Sequence, residues 1–352
     1  MIRKPIKPWR KRSTRMATAK LPSASCRQSW KKKGLTNYML SDHPPILVTG
    51  VHRSGTTWVG KMLTASGEAA YISEPLNVWH RRGVLAVDIP HWYFYLCEEN
   101  ESQYLPAFRQ LLNYQYHWGK EILSLRSFHD LGRMARDGST FLLGKFLRRR
   151  PLLKDPFAAF SIPWFTERLG CQVVVTIRHP AAFASSLKRL NWPFDMQDLL
   201  AQPLLMRDWL APYQEQMLAC LAKPHDILQQ AALLWTMVYQ TIWRLKEEGH
   251  SLVLVRHEDL SLDPLAEFEK LYQALGLSYS ERARLQIAAS SSAENPKELQ
   301  TKKRHSVRLD SRSNLMNWRK RLTETEIEQI KAHTWEIASH YYRPESWEGI
   351  YP

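Results

Sequence analysis

Apolar positions along the chain fall into two alternating periods. Contiguous, largely β-branched runs recur at Ile46-Leu47-Val48, Ala69 to Ser73, Leu152-Leu153, Gln172 to Ile177 and Ser251 to Val255. Runs of this kind, bounded by Gly, Pro or charged residues, predict strands buried on both faces of a parallel sheet. Between them the apolar spacing turns helical. Val59-Gly60-Lys61-Met62-Leu63 is the first such segment, and Glu121 to Arg136, Ala158 to Leu169 and Ala181 to Leu190 follow. Asp226 to Glu248 is the longest, with Leu228, Ala232, Trp235, Tyr239, Ile242 and Leu245 on one stripe. Further helices are predicted near 264–275 and 281–289, and from Thr323, where Thr323-Glu324-Thr325-Glu326 carries a capping signature. Residues 191–225 read as a loop with one short helix. The alternation predicts a three-layer α/β/α fold with a mostly parallel central sheet, right-handed crossovers and a single domain over 41–352.

Charge adds a tail to this picture. The 352 residues carry a net charge of +15, but residues 1–34 hold twelve of the 49 Lys and Arg and no Asp or Glu. The remainder has 37 basic and 34 acidic side chains, a balance of only +3. Residues 1–40 therefore read as a basic, disordered tail without the apolar core of a secretory signal. The tail allows weak contact with an anionic membrane surface, whereas nucleic acid is a poor candidate partner for the domain. No apolar run approaches the roughly 18 residues of a membrane span. Cys26, Cys97, Cys171 and Cys220 are scattered, which speaks against a disulfide framework or a zinc site and fits a reducing cytoplasm. No metal cluster is evident.

The candidate chemistry sits at the ends of the predicted strands. Gly50-Val51-His52-Arg53-Ser54-Gly55-Thr56-Thr57-Trp58 joins the first strand to the first helix. A glycine-bearing turn there aims loop N–H groups and the helix dipole at one spot, an anion cradle with added hydroxyl donors. Its spacing, Gly-x4-Gly-Thr-Thr, is close to the nucleotide-binding P-loop, but Thr56 stands where that loop carries lysine. Arg178, Arg256 and Arg308 are candidate cations at neighbouring strand ends or on a late polar, basic segment that also holds Lys302, Lys303 and Arg304. Glu74 and Lys154 each end a strand. A carboxylate, an ammonium and an anion cradle suit transfer of a charged group, with the carboxylate taking the acceptor's proton. Residues 76–118, rich in Trp and Tyr, are a candidate acceptor pocket, with packing as the competing reading.

These residues resemble the sulfotransferases that use 3′-phosphoadenosine 5′-phosphosulfate (PAPS). The loop at 50–58 resembles their 5′-phosphosulfate loop. Val175-Thr176-Ile177-Arg178-His179-Pro180, with Ser186, resembles their 3′-phosphate motif. Arg256-His257-Glu258-Asp259-Leu260 and Asn317-Trp318-Arg319 resemble two further family segments. The resemblance spans about residues 44–340. It implies that Arg53, Ser54, Gly55, Thr56 and Thr57 hold the 5′-phosphosulfate and that Trp58 stacks the adenine. It further implies that Arg178 and Ser186 bind the 3′-phosphate, with Arg308 closing over the donor. Cytosolic members carry a catalytic histidine after the lysine-bearing strand, and none stands in Lys154-Asp155-Pro156-Phe157. The tyrosylprotein branch places a catalytic glutamate 21 residues after the loop arginine, the separation of Arg53 and Glu74. The resemblance thus implies Glu74 as base, Lys154 and Arg53 as charge-stabilising catalytic groups, and Asp155 as reserve base or helix N-cap. The expected acceptor is a hydroxyl or amine of a glycan, polysaccharide precursor or small metabolite. A P-loop kinase or NTPase is the alternative.

Overall fold

The computed structural model describes residues 43–297 and 308–351. The tail expected over 1–40, with Lys302, Lys303 and Arg304, lies outside the described residues. The strands are β1 (Ile46–Thr49), β2 (Ala69–Ser73), β3 (Arg150–Lys154), β4 (Gln172–Ile177) and β5 (Leu252–Arg256). They form one sheet in the order β2-β3-β1-β4-β5, and every neighbouring pair is parallel. Helices α1 (Thr56–Leu63), α2 (Tyr104–Leu112), α3 (Trp118–Ser124) and α4 (Phe128–Phe146) precede β3. Then come α5 (Ile162–Leu169), α6 (Pro180–Leu190), the short α7 (Gln197–Leu200) and α8 (Pro203–Leu205), α9 (Gln214–Ala222) and α10 (Ile227–Glu247). After β5 follow α11 (His257–Leu262), α12 (Pro264–Leu275), α13 (Glu281–Ser291), α14 (Ser311–Asn314) and α15 (Glu324–Ala338).

Alternating strand side chains explain the three layers. Leu47, Leu153, Val173 and Val175 point into one core with α5, α6, α10 and α15. Ile46, Val48, Leu152 and Val174 point into a second core with α1, α12 and α13. The α10 stripe is buried as expected except for half-exposed Leu228, and Asp226 caps that helix by accepting from Gln229 N at 3.0 Å. The capping box at Thr323 and Glu326 is present.

Two expected elements differ. The helix expected over 121–136 is two helices, α3 and α4, because Asp130 folds back on the turn between them. Its Oδ2 accepts from Arg126 N at 3.2 Å and Ser127 Oγ at 3.0 Å, local bonds that compete with a continuous helix. Residues 191–225 hold a string of short helices rather than one. Pro193, Pro203 and Pro212 each deny the chain a backbone donor and restart it.

Strand order places the chemistry. From β1 the chain passes to the edge strand β2, returns to insert β3 between them, and then crosses to β4 and β5 on the other side of β1. The reversal falls between β1 and β4, and open α/β sheets bind ligands at the carboxyl ends of such strands. The Gly50–Trp58 loop leaves β1 there, and Arg178 leaves β4 beside it.

Candidate active site

The loop is held from within. Ser54 is fully buried; its hydroxyl donates to Val51 O at 2.6 Å and meets Thr176 Oγ1 at 2.7 Å, and its N–H donates to Val51 O at 3.1 Å. Ser54 therefore clasps the loop to β4, with its hydroxyl turned inward. Arg53 and Gly55 take left-handed backbone, at φ 68° and 99°. No side chain caps the first turn of α1, and its orphan N–H groups belong to residues that line a cavity: Thr56, Thr57 and Trp58, after Gly55. The cradle was expected at this turn. Gly55 is required twice over, by its positive φ and because a Cβ there would stand 2.6 Å from His257 Cδ2. Gly55→Ala is expected to cost about 1–3 kcal/mol of stability and to weaken anion binding at the loop. Thermal unfolding and titration with adenosine 3′,5′-bisphosphate check this; a variant matching the parent in both would mean that the loop relaxes freely.

The two anion motifs, 125 residues apart between Arg53 and Arg178, touch each other. Arg178 donates to Arg53 O at 2.8 Å, and Arg53 Nε donates to Ser186 Oγ at 3.4 Å. Arg53, Arg178 and Ser186 all line the cavity. Trp58 does too, with its indole N–H anchored on Ser290 Oγ at 2.9 Å. Arg308 is exposed and is not among the lining residues, although Leu309 and Ser311 are. Arg256 turns elsewhere: it grips Asp259 with two bonds of 2.8 and 2.6 Å and lies over the Tyr342 ring. Its cation is committed to anchoring α11 and the C-terminal region.

Register brings the proposed reaction pair together. Ser73 on β2 is paired with Lys154 on β3, so the next residue, Glu74, accepts the bend of the chain over the strand end. Its N–H donates to Lys154 O at 2.8 Å, and its left-handed backbone, φ 48°, returns its carboxylate to the Lys154 ammonium. The other carboxylate oxygen accepts from Asn77 Nδ2 at 2.8 Å. Glu74 reaches the cavity, whereas Lys154 is buried beneath it with 3% of its side chain exposed. Burial alone would lower the pKa of Lys154, but Tyr71 and Glu74 raise it overall, so the ammonium is kept. Asp155 is fully buried and accepts from Leu76 N at 2.5 Å and Phe157 N at 3.0 Å. Burial pushes it up to about 7 in spite of these bonds. It caps the 3-10 turn at Pro156–Ser161.

The cavity measures about 810 Å³. Part of its wall is aromatic: Trp79, Trp92, Phe157, Trp192 and Phe194. Trp79 and Trp92 from the aromatic segment thus reach the site, while Tyr93, Tyr104 and Tyr114 are buried in the core. Sequence reasoning missed three lining residues of consequence. Arg189 follows Ser186 by one helical turn on α6, a spacing that would have pointed to it. Arg321 follows the Asn317-Trp318-Arg319 segment by two positions. His52 is the third, and burial lowers it to about 4, so it is neutral. Its backbone N–H donates to Tyr93 Oη at 3.1 Å, and the Tyr93 hydroxyl lies 2.8 Å from His52 Nδ1.

The remaining motif residues build the frame. His179, held neutral by burial at about 3, stacks on Trp318 with ring centres 5.3 Å apart. Buried Glu258 accepts from His179 N at 3.0 Å and Tyr342 Oη at 2.8 Å. Two segments far apart in the chain are thus one packed unit behind Arg178. Among the described residues no group of His, Cys, Asp and Glu is arranged to hold a metal ion, and no helix is long and apolar enough to cross a membrane.

Fold and site together define an α/β protein with an uncapped glycine turn after β1 and a carboxylate–ammonium pair at the ends of the neighbouring strands β2 and β3. The chain belongs to the sulfotransferase domain family, whose sequence model it matches over residues 43–340. No curated protein matches it. Among solved structures it is similar to the sulfotransferase domain from the curacin biosynthetic pathway, at 18% identity and TM-score 0.46 over 86% of this chain and 100% of that one. It is also similar to the sulfotransferase domain from the Synechococcus PCC 7002 olefin synthase, at 14% and 0.45 over 89% and 100%. Mouse sulfotransferase SULT7A1 complexed with PAP is similar at 11% and 0.41 over 87% and 86%. Membership rests on the family match, and these distant likenesses carry none of the argument.

Proposed function

We propose that the chain transfers a sulfuryl group from PAPS to a hydroxyl or amine of a glycan, polysaccharide precursor or small metabolite, with Glu74 as general base. One observation carries this reading: the carboxylate of Glu74, paired with Lys154, opens into the same cavity as the loop at 53–58. The residues fit such a donor, because uncapped helix N–H groups and four lining guanidiniums, of Arg53, Arg178, Arg189 and Arg321, suit a ligand with two separated anionic ends. When bound, the donor supplies an activated sulfuryl group and leaves as adenosine 3′,5′-bisphosphate.

In this reading Arg53 and the N–H groups of Gly55, Thr56 and Thr57 hold the 5′ end. Ser54 keeps the loop shaped for it. Arg178 and Ser186 hold the 3′-phosphate, Trp58 and His257 border the adenine, and Arg308 closes from the late segment. Glu74 takes the acceptor's proton as its oxygen or nitrogen attacks sulfur. Lys154 keeps positive charge beside the reacting centre, where charge on the departing oxygen grows. The engagement of Asp155 with two backbone donors supports its role as a cap rather than a base. A single domain over 41–352 acting in the cytoplasm completes the proposal, and the free thiols of Cys97, Cys171 and Cys220 suit a reducing compartment.

The test is incubation with isotopically labelled PAPS and a panel of hydroxylated and amine acceptors, read by mass spectrometry. Adenosine 3′,5′-bisphosphate release with a sulfated acceptor is expected. Thermal stabilisation by Mg-ATP but not by adenosine 3′,5′-bisphosphate would instead favour a kinase or NTPase.

A further inference from the structure

The helical pair before β3 breaks the usual rule for helix faces. Of the fourteen large hydrophobic side chains exposed on the described surface, nine lie between Trp118 and Leu147. Phe128, Leu131, Leu142 and Phe146 repeat at helical spacing and form one stripe along α4, exposed by 93, 43, 58 and 84%. The buried residues of α4 are Gly138, Phe141 and Gly144, none of them in this stripe. A surface helix normally turns its apolar stripe inward, and contiguous apolar patches of this sort mark an interaction surface. On α3, Ile122 and Leu123 extend the patch, exposed by 55 and 89%.

Charge identifies the occupant. Residues 118–149 carry seven Lys or Arg and three Asp or Glu. All three acids are engaged in ion pairs, Glu121 and Asp130 with Arg81, Asp130 also with Arg133 at 3.6 Å, and Asp137 with Arg136, and the segment keeps a surplus of four positive charges. Lys120, Arg126, Arg133, Lys145 and Arg148 are exposed around the apolar stripe. At the end of α4, Leu147 borders a cavity of about 340 Å³ also lined by Arg148, Arg149 and Arg150. Apolar side chains ringed by cations match an anionic lipid interface, with acyl chains below and phosphates around. The same surplus of positive charge opposes pairing of this face with a second copy of itself.

We propose that the α3–α4 face docks on the surface of an anionic bilayer, seating Phe128, Leu142 and Phe146 at the acyl boundary and the surrounding Lys and Arg among lipid phosphates. The domain then works as a peripheral protein on one leaflet. Lys120 bonds to Ala86 O, and Arg81 ties the patch to the turn carrying Asn77 and Trp79 at the cavity. Docking therefore brings the catalytic cavity near the membrane plane, within reach of acceptors carried on lipid. The inference about docking stands on this face alone and does not depend on the reaction proposed above.

The experiment is co-sedimentation of the full chain with vesicles of phosphatidylcholine alone or with three parts in ten of phosphatidylglycerol, at rising salt. The parent is expected to bind the anionic vesicles and to be released by salt. Phe128→Ser/Leu142→Ser/Phe146→Ser, which leaves every charge and the basic tail in place, is expected to weaken binding by about tenfold or more with an unchanged melting temperature. An environment-sensitive dye on Phe146→Cys is expected to shift to the blue on the same vesicles. Undiminished vesicle binding by the triple variant overturns the proposal and assigns lipid affinity to the tail. Self-association of the parent that the triple variant abolishes overturns it in favour of a second copy. A lower melting temperature with unchanged vesicle binding assigns the face to the chain's own first 42 residues.

Discussion

Glu74→Gln is expected to lower kcat by about 10²- to 10⁴-fold, the usual worth of a positioned general base, while the affinity for adenosine 3′,5′-bisphosphate stays near that of the parent. Glutamine keeps the shape, so the bonds from Glu74 N to Lys154 O and from Asn77 Nδ2 can persist. What is lost is the basic oxygen facing the cavity. Its neighbours offer no substitute. His52 is a weak base, lowered to about 4 by burial, with its Nδ1 engaged by Tyr93, and Asp155 is buried with its oxygens committed to Leu76 and Phe157. A Glu74→Gln enzyme within about threefold of the parent would remove Glu74 from the reaction, a difference too small for general-base loss.

Lys154→Met is expected to have the second largest effect, a loss of about 10²- to 10³-fold in kcat, comparable with removal of one preorganised electrostatic group. Methionine preserves the apolar stem that packs against Gly60 at the back of α1, so the fold should survive. Glu74, with 28% of its side chain exposed, remains hydrated without its partner, which limits the stability cost to less than that of breaking a fully buried pair. The double variant Glu74→Gln/Lys154→Met distinguishes a coupled pair from two separate contributions. As a unit, the two changes should together cost little more than the worse single change. Losses that multiply would mean that Lys154 and Glu74 act independently.

The strand–turn–helix junction at 50–58 was legible because its signals are local. Strand end, glycine turn and helix start follow one another within a few residues, and backbone geometry needs only those residues. The absence of lysine at Thr56 was equally visible. Other residues depended on the fold. Ser54 has the composition of a ligand-binding residue, yet its hydroxyl faces β4, since the loop's own curvature decides which side chains turn inward. Arg256 looked equivalent to Arg178, as both follow a buried strand. Only packing gives one to the cavity and the other to Asp259.

By itself the sequence determined the layering of the domain and the strand-end positions of the candidate site residues. These follow from periodicity and short motifs, where neighbours in sequence are neighbours in space. The tertiary structure alone decided that β1 and β4 are adjacent, that β3 sets Lys154 beside Glu74, and that Arg53 meets Ser186. Those contacts arise from strand order and register across gaps of 80 and more residues, which no local pattern encodes. The outward apolar face of α4 belongs to the same category. Its stripe is present in the sequence, but a stripe has no inside or outside until the rest of the chain has packed against one side of the helix.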